Sequence, residues 1–307
     1  KMVERYAPHG TLLLQGYNAI SYAGQGEAPA GAEERAFANW IRAIGEHLSG
    51  LGVPYDHWAV YIVDEPGLNT YWGIEHLLKY GRAIKEADPR VQTYTDPICD
   101  TQPLELERAA PYVDIWCPEQ DSYYRLWGET ANMFAAERLA IMKNDSEQVW
   151  TYECFPGAKQ LDALGYYRHQ AWVAWMFGLN GMGFWTYCTA GTNLWEPMRG
   201  EYVLAYPGEQ GPIPSKRWEA CRDGVEDYGA LWLLREELRK AEAAGVTGPA
   251  VEEARQILRD AAPNVVEKRA AFQVVTAWRM GIAEATMGLR LVTSRRPAVA
   301  PTEVGAK

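Results

Sequence analysis

Two carboxylates stand side by side at Asp64 and Glu65, directly after the aromatic and β-branched run Trp58 to Val63 and directly before Pro66-Gly67. Such a run suits a strand buried on both faces. Proline has no ladder donor and glycine favours a turn, so the strand must stop where the acids begin. In a parallel barrel or open α/β sheet, that carboxyl end is where active sites are built. A pair of acids there can split two tasks, one donating a proton and the other holding a fixed negative charge. The plainer alternative has Asp64 capping the next helix and Glu65 as a solvated loop acid.

The other strand candidates also end in polar and aromatic groups. Tyr94 to Asp96, Trp116 to Glu119, Tyr152 and Glu153, and Trp185 to Thr189 each follow or close an apolar run, and Asn193 lies in the loop after the last of them. A mouth lined this way meets the needs of a glycosidase. It has an acid to protonate the leaving oxygen, a second group to stabilise an oxocarbenium-like centre, and flat rings under the sugar. The expected site is therefore Asp64 and Glu65 as catalytic acids, with Tyr94, Asp96, Trp116, Glu119, Tyr152, Glu153, Trp185, Tyr187 and Asn193 around the substrate.

The elements that must position these residues alternate along the chain. Strands are expected at Thr11 to Tyr17, Trp58 to Val63, Val91 to Thr95, Tyr112 to Cys117, Gln148 to Glu153 and Gly181 to Tyr187. Between them run helical patterns at Glu33 to Leu51, Asn69 to Ala87, Pro103 to Ala110, Ala131 to Lys143 and Gly165 to Leu179, with Asn69 a candidate N-cap and Asp88-Pro89 a stop. Alternation at this spacing implies right-handed βαβ units and a parallel sheet. A closed (β/α)8 barrel needs eight strands, and the abrupt start at Lys1 suggests that two precede it. The expected fold is an α/β barrel over residues 1–240, incomplete at its N-terminus, then a helical extension over 241–294 and a disordered tail over 295–307.

After Tyr187 the pattern becomes a long loop, Ala190 to Pro214. Ser215 then caps a helix whose inward stripe reads Trp218, Cys221, Val225, Tyr228, Leu231, Leu234 and Leu238. Gly245 to Gly248 breaks it, and Pro249 to Ala261 and Val265 to Leu291 read as two more helices. The acids of Arg222-Asp223-Gly224 and Glu226-Asp227 are expected to make caps and interhelical ion pairs.

Composition narrows the partners. A formal charge of -10, without a run of basic residues longer than Arg295-Arg296, argues against nucleic acid and anionic membrane surfaces. No apolar stretch reaches the roughly 18 residues that span a bilayer. Thirteen Trp and 18 Tyr point to a glycan as ligand, though a large core also uses aromatics. The five cysteines include no Cys-x-x-Cys pair, and His57, His76 and His169 have no metal-ligand spacing, so neither a metal nor another cofactor is expected.

Several motifs carry a resemblance. Tyr61-Ile62-Val63-Asp64-Glu65-Pro66, Trp150-Thr151-Tyr152-Glu153-Cys154, Gly183-Phe184-Trp185-Thr186-Tyr187, and the stretch from Tyr206-Pro207-Gly208 through Gly211-Pro212-Ile213-Pro214-Ser215 to Tyr228 resemble the catalytic domain of family 123 glycoside hydrolases. The resemblance covers roughly Thr11 to Leu234. It implies a (β/α)8 barrel, a β-sandwich domain upstream, and release of β-linked N-acetylhexosamine, especially N-acetylgalactosamine, by substrate-assisted retaining catalysis. On that scheme Asp64 polarises the acetamido group and Glu65 is general acid, then base. Arg199-Gly200-Glu201 and Gly229-Ala230 depart from the pattern, which bears on the identity of the sugar. A secreted or periplasmic setting follows if the full-length chain carries a signal peptide.

Two alternatives stay open at this level. If two strands are missing, Glu65 ends the fourth and Glu153 the seventh, the arrangement of retaining glycosidases with acid/base and nucleophile about 5 Å apart. Those normally carry Asn before the first Glu, where this chain has Asp64. The other alternative is a glycan-binding domain with no catalysis.

Overall fold

Strand β2 (Trp58–Val63) sits inside the sheet because every residue in it except Tyr61 is an apolar side chain that becomes buried. In the computed structural model, residues 10–16, 31–66, 73–98, 101–120, 134–144, 146, 148–154, 158–188, 193–196 and 203–294 are described. β1 (Leu12–Gln15), β2, β3 (Gln92–Thr95), β4 (Ile115–Trp116) and β5 (Gln148–Val149) form a five-stranded sheet in chain order, and every neighbouring pair is parallel. The protein is therefore α/β with a parallel sheet.

The strand expected over Gln148 to Glu153 is interrupted. Trp150 and Thr151 break it into β5 and β6 (Tyr152–Glu153), and β6 pairs in parallel with β7 (Gly183–Phe184). The pairing with the β4 segment nevertheless continues, since Trp150 N–H donates to Trp116 O, Tyr152 N–H to Pro118 O, and Gln120 N–H to Tyr152 O.

The chain separates into two compact units, Lys1–Phe155 with Leu179–Trp185, and Pro156–Gly178 with Thr186–Lys307. This division differs from the expected one at residue 240, and the helices after that residue share a core with Trp172, Leu231 and Leu234 before it. In the first unit the sheet is covered by α1 (Ala32–Gly50), α2 (Ile74–Ala87), α3 (Pro103–Ala109) and α4 (Ala136–Asn144). α1 buries Phe37, Ile41 and Leu48, and the Phe37 ring meets Tyr80 of α2 edge-on at 5.1 Å. α2 lies close on the sheet because Gly81 has no side chain: a Cβ there would stand 2.8 Å from Tyr112 Cβ and 3.6 Å from Ile62 Cδ1. At its end, Asp88 accepts from Arg90 Nε at 2.9 Å, Arg90 Nη2 at 2.8 Å and Tyr55 OH at 2.8 Å. The Arg90 bonds first, helped by Tyr55, hold the Asp88 carboxyl down at about 2. Asn69, Trp72, the expected helix start at Ala131 and the tail 295–307 lie outside the described residues; the described part of α2 begins after Gly73.

The second unit contains a π-helical turn, Leu164–Arg168, leading into α5 (His169–Met176), then a hairpin of β8 (Ala205–Tyr206) and β9 (Ile213–Pro214), and the helices α6 (Lys216–Ala243), α7 (Pro249–Glu267) and α8 (Phe272–Ser294). The stretch expected to be loop up to Pro214 thus holds an antiparallel pair. Ser215 is the N-cap of α6, its hydroxyl accepting from the N–H groups of Arg217 and Trp218. Apolar side chains of α5 to α8, among them Trp172, Leu231, Leu234, Ile257, Val265, Ile282 and Leu289, make the core.

Two expectations fail here for physical reasons. The first half of α6 turns Arg217, Ala220, Gly224 and Asp227 inward and leaves Trp218 40% and Val225 57% exposed. Polar partners outweigh the apolar stripe: Arg217 donates to Val203 O at 2.6 Å, and Arg168 donates to Asp227 through Nε at 2.7 Å and Nη2 at 3.0 Å. Arg222 pairs with Glu219 and Glu226 within α6 itself, whereas the expected ion pairs between helices run from Asp227 to Arg168 and to Arg279 of α8. Pro263 does not end α7, because Ala261, Ala262 and Val265 are buried on the same face and their packing offsets the one backbone bond that proline removes.

Candidate active site

The acidic pair follows an irregularity in the ladder. Tyr61 pairs with Tyr94 but Val63 with Thr95, so β2 has one residue more than β3 at its carboxyl end. An extra residue of this kind bends the strand and re-aims the side chains after it. Glu65 then adopts φ of 46°, in the left-handed region, a conformation that costs on the order of 1–3 kcal/mol for a residue other than glycine. Bonds at both ends hold it there. Its N–H donates to Asp96 Oδ1 at 3.0 Å, and its carboxylate accepts from the Tyr152 hydroxyl at 2.5 Å. The Thr101 hydroxyl donates to Pro66 O and anchors the turn beyond.

Asp64 is held by a tyrosine of its own. The Tyr61 hydroxyl lies 2.5 Å from Asp64 Oδ1 and is also bonded to Asp96 Oδ2. Strand alternation explains which side chains meet these acids. Ala59, Tyr94, Ile115, Cys117 and Tyr152 share one face of the sheet, with Tyr61, Trp150 and Cys154 packed against them. That face opens into a pocket of about 860 Å³, which Asp64, Glu65 and Asp96 line together with Trp40, Tyr94, Trp150 and Trp185.

The electrostatics follow from burial in an acidic surrounding. Burial first, then the charges of Asp96 and Asp64, push the Tyr61 phenol far above its ordinary range. Burial likewise raises Tyr94, and raises Tyr152 with Asp96, Glu65 and Glu119 adding to it. The phenols therefore keep their protons at neutral pH, and those of Tyr61 and Tyr152 can donate to carboxylates. Asp96 is 5% exposed, and its carboxyl is raised well above the carboxylate range, first by burial. Burial also pushes the Cys117 thiol up, so it is not a ready nucleophile.

Of the residues expected in the site, Asp64, Glu65, Tyr94, Asp96, Tyr152 and Trp185 line this pocket. Trp116, Glu119 and Glu153 do not. Trp116 is fully buried, because Ile115 and Cys117 on either side of it take the pocket face. Glu153 follows Tyr152 and points to the opposite face of β6, where it is 3% exposed. Glu119 is 3% exposed and sits close enough to Tyr152 for its charge to act on the phenol. Tyr187 and Asn193 belong to the second unit. Tyr187 packs edge-on against Trp218 with ring centroids 5.9 Å apart, while Asn193 bonds locally to Glu196 and to the Trp195 N–H.

Tyr61 and Trp150 are the residues the sequence reading passed over. Both sit inside apolar runs and read as core; strict alternation would put Tyr61 and Asp64, three residues apart, on opposite faces, and it is the irregularity after Tyr61 that brings them together. Among the described residues, no group of three or more His, Cys, Asp or Glu side chains is arranged to hold a metal ion. Compared with known proteins, the chain matches no family model and no curated sequence. Fold and site together define an α/β protein whose parallel sheet carries an acidic, aromatic-walled pocket at its carboxyl edge.

Proposed function

We propose that this pocket hydrolyses β-linked N-acetylhexosamine glycosides, N-acetylgalactosamine foremost, with the acetamido group of the substrate as nucleophile. The observation that carries the reading is the adjacent acids Asp64 and Glu65, hydrogen-bonded by Tyr61 and by Tyr152 respectively, in an aromatic pocket of about 860 Å³. That volume lies within the range of small-molecule sites. The surrounding fold we take to be a (β/α)8 barrel, since parallel strands succeeding one another in chain order are the barrel's arrangement.

In the first step Glu65 donates its proton to the glycosidic oxygen. The acetamido carbonyl oxygen attacks the anomeric carbon as the C–O bond to the leaving group breaks, giving a cyclic oxazolinium. Asp64 accepts the acetamido N–H and stabilises the positive charge that develops there. Water, giving up a proton to Glu65, then opens the ring at the anomeric carbon with overall retention. Aromatic walls such as Trp150 and Tyr94 supply apolar contact for the sugar ring.

The two-carboxylate alternative would need Glu153 to reach the anomeric carbon, and Glu153 faces away from the pocket. The test is hydrolysis of an aryl 2-acetamido-2-deoxy-β-glycoside beside its 2-hydroxy analogue. Cleavage of the first and not the second is expected, with Asp64→Asn losing most of kcat and Glu65→Gln losing least on activated aryl leaving groups. Efficient cleavage of the 2-hydroxy glycoside would overturn the proposal. Saturable sugar binding without turnover would favour a binding domain.

A further inference from the structure

Tyr61 has one phenolic proton and two carboxylates in contact with its oxygen. That oxygen lies 2.5 Å from Asp64 Oδ1 and is bonded to Asp96 Oδ2 as well. One proton can lie along only one of these lines. Along the other, two oxygens bearing lone pairs would face each other at contact distance, which is repulsive unless a second proton lies between them. The second proton must therefore belong to Asp64 or to Asp96. Their surroundings separate them: Asp64 is exposed, whereas Asp96 is 5% exposed, and an anion is far costlier in the dry position.

We propose that Asp96 is a positioning residue that carries a proton at neutral pH: it donates through Oδ2–H to the Tyr61 oxygen, Tyr61 donates to Asp64 Oδ1, and the single negative charge of the three groups resides on Asp64. The remaining bond agrees, since the unprotonated Asp96 Oδ1 accepts the Glu65 N–H at 3.0 Å. Among the described residues, the groups that act on Asp96 include no cation. Burial raises its carboxyl most; a bond donated by Tyr61 would lower it, but that proton goes to Asp64 in this arrangement, and of the rest Asp64 and Glu65 raise it while the Glu65 N–H lowers it. Tyr94, Cys117 and Tyr152, whose titration Asp96 also affects, are neutral groups. The catalytic consequence rests on the proposed hydrolysis: a proton on Asp96 aims the chain of bonds outward, so that Asp64 is fixed in place and keeps its charge for the acetamido group.

The test is infrared spectroscopy of the intact chain, with and without 13C in the aspartate side-chain carboxyls. At neutral pH a protonated-carboxyl band is expected that shifts with the aspartate label, which separates it from buried Glu119 and Glu153. It should vanish in Asp96→Asn, survive in Asp64→Asn and change frequency in Tyr61→Phe. Absence of an aspartate-derived band in the wild-type chain would overturn the proposal whether or not any variant folds; so would its persistence in Asp96→Asn. A kinetic arm compares two variants. Asn can donate to Tyr61 and accept the Glu65 N–H, so Asp96→Asn should retain at least about tenfold more kcat/KM than Asp96→Ala, given that small misplacements of a catalytic group cost up to roughly a hundredfold. Equal losses would overturn the positioning role. If no glycoside is cleaved, the infrared result still decides the protonation of Asp96, so failure of the hydrolase reading is distinguishable from failure of this one.

Discussion

Asp227 is fully buried in the second unit and accepts three hydrogen bonds, from Arg168 Nε at 2.7 Å, Arg168 Nη2 at 3.0 Å and Trp172 Nε1 at 2.9 Å, while Arg279 Nη1 forms an ion pair with it at 3.3 Å. Replacing it by Asn preserves the shape but turns one acceptor into a donor and leaves Arg168, itself 5% exposed, without its anion. Removing one partner from a buried pair costs about 3–5 kcal/mol. Two features favour the lower end: Arg279 is partly solvated and can turn to water, and Asp223 stands 3.9 Å from Arg168 Nη1, where it can take up some of the charge. A loss of about 3 kcal/mol corresponds to a fall in Tm of roughly 6–12 °C for a domain of this size. Urea unfolding and calorimetry would measure it. Because the pair is shielded from solvent, the loss should change little between low and high salt. The companion variant Arg168→Met with Asp227→Leu removes both charges and should recover most of the stability. A loss below about 1 kcal/mol in Asp227→Asn, or one that disappears in high salt, would refute the view that the first half of α6 is organised by this ion pair rather than by an apolar stripe.

Other consequences are open to direct measurement. Tyr152→Phe deletes a bond to the Glu65 carboxylate worth about 1.5–3 kcal/mol; steady-state kinetics should show kcat/KM lower by roughly tenfold to a hundredfold, and an unchanged value would show that the bond is irrelevant to turnover. The folded Asp88 carboxyl lies below its unfolded value, so its stabilisation is complete above about pH 4 and is lost as pH falls toward 2. Urea titrations of Asp88→Asn should accordingly give a flatter stability curve across that window than the wild type, and parallel curves would contradict the assignment. Gly81→Ala places a methyl 2.8 Å from Tyr112 Cβ, an atom fixed to backbone, and should cost about 1–3 kcal/mol by overpacking. Greater stability from improved helix propensity would mean that α2 is free to move off the sheet.

Much of this molecule was legible in the linear chain because its signals are local. The apolar run Trp58 to Val63 ended by Pro66 marks β2 and puts Asp64 and Glu65 at its carboxyl end, Ser215 marks the start of α6, and the alternation of strand and helix patterns gives a parallel α/β sheet. Each depends only on neighbouring residues: backbone donors, turn preferences and periodicity. What needed the tertiary structure were the choices made between distant segments. Whether Trp116 or Cys117 faces the pocket depends on the register of β4 against β3 and β5, since a shift of one residue exchanges the two faces. The rotation of α6 that exposes Trp218 is set by Arg168, 59 residues before Asp227, and no periodicity within α6 contains that partner. Likewise it is the irregular pairing of β2 with β3 that turns Asp64 back toward Tyr61 and brings Asp96 to the same phenol, from a position 35 residues further along the chain.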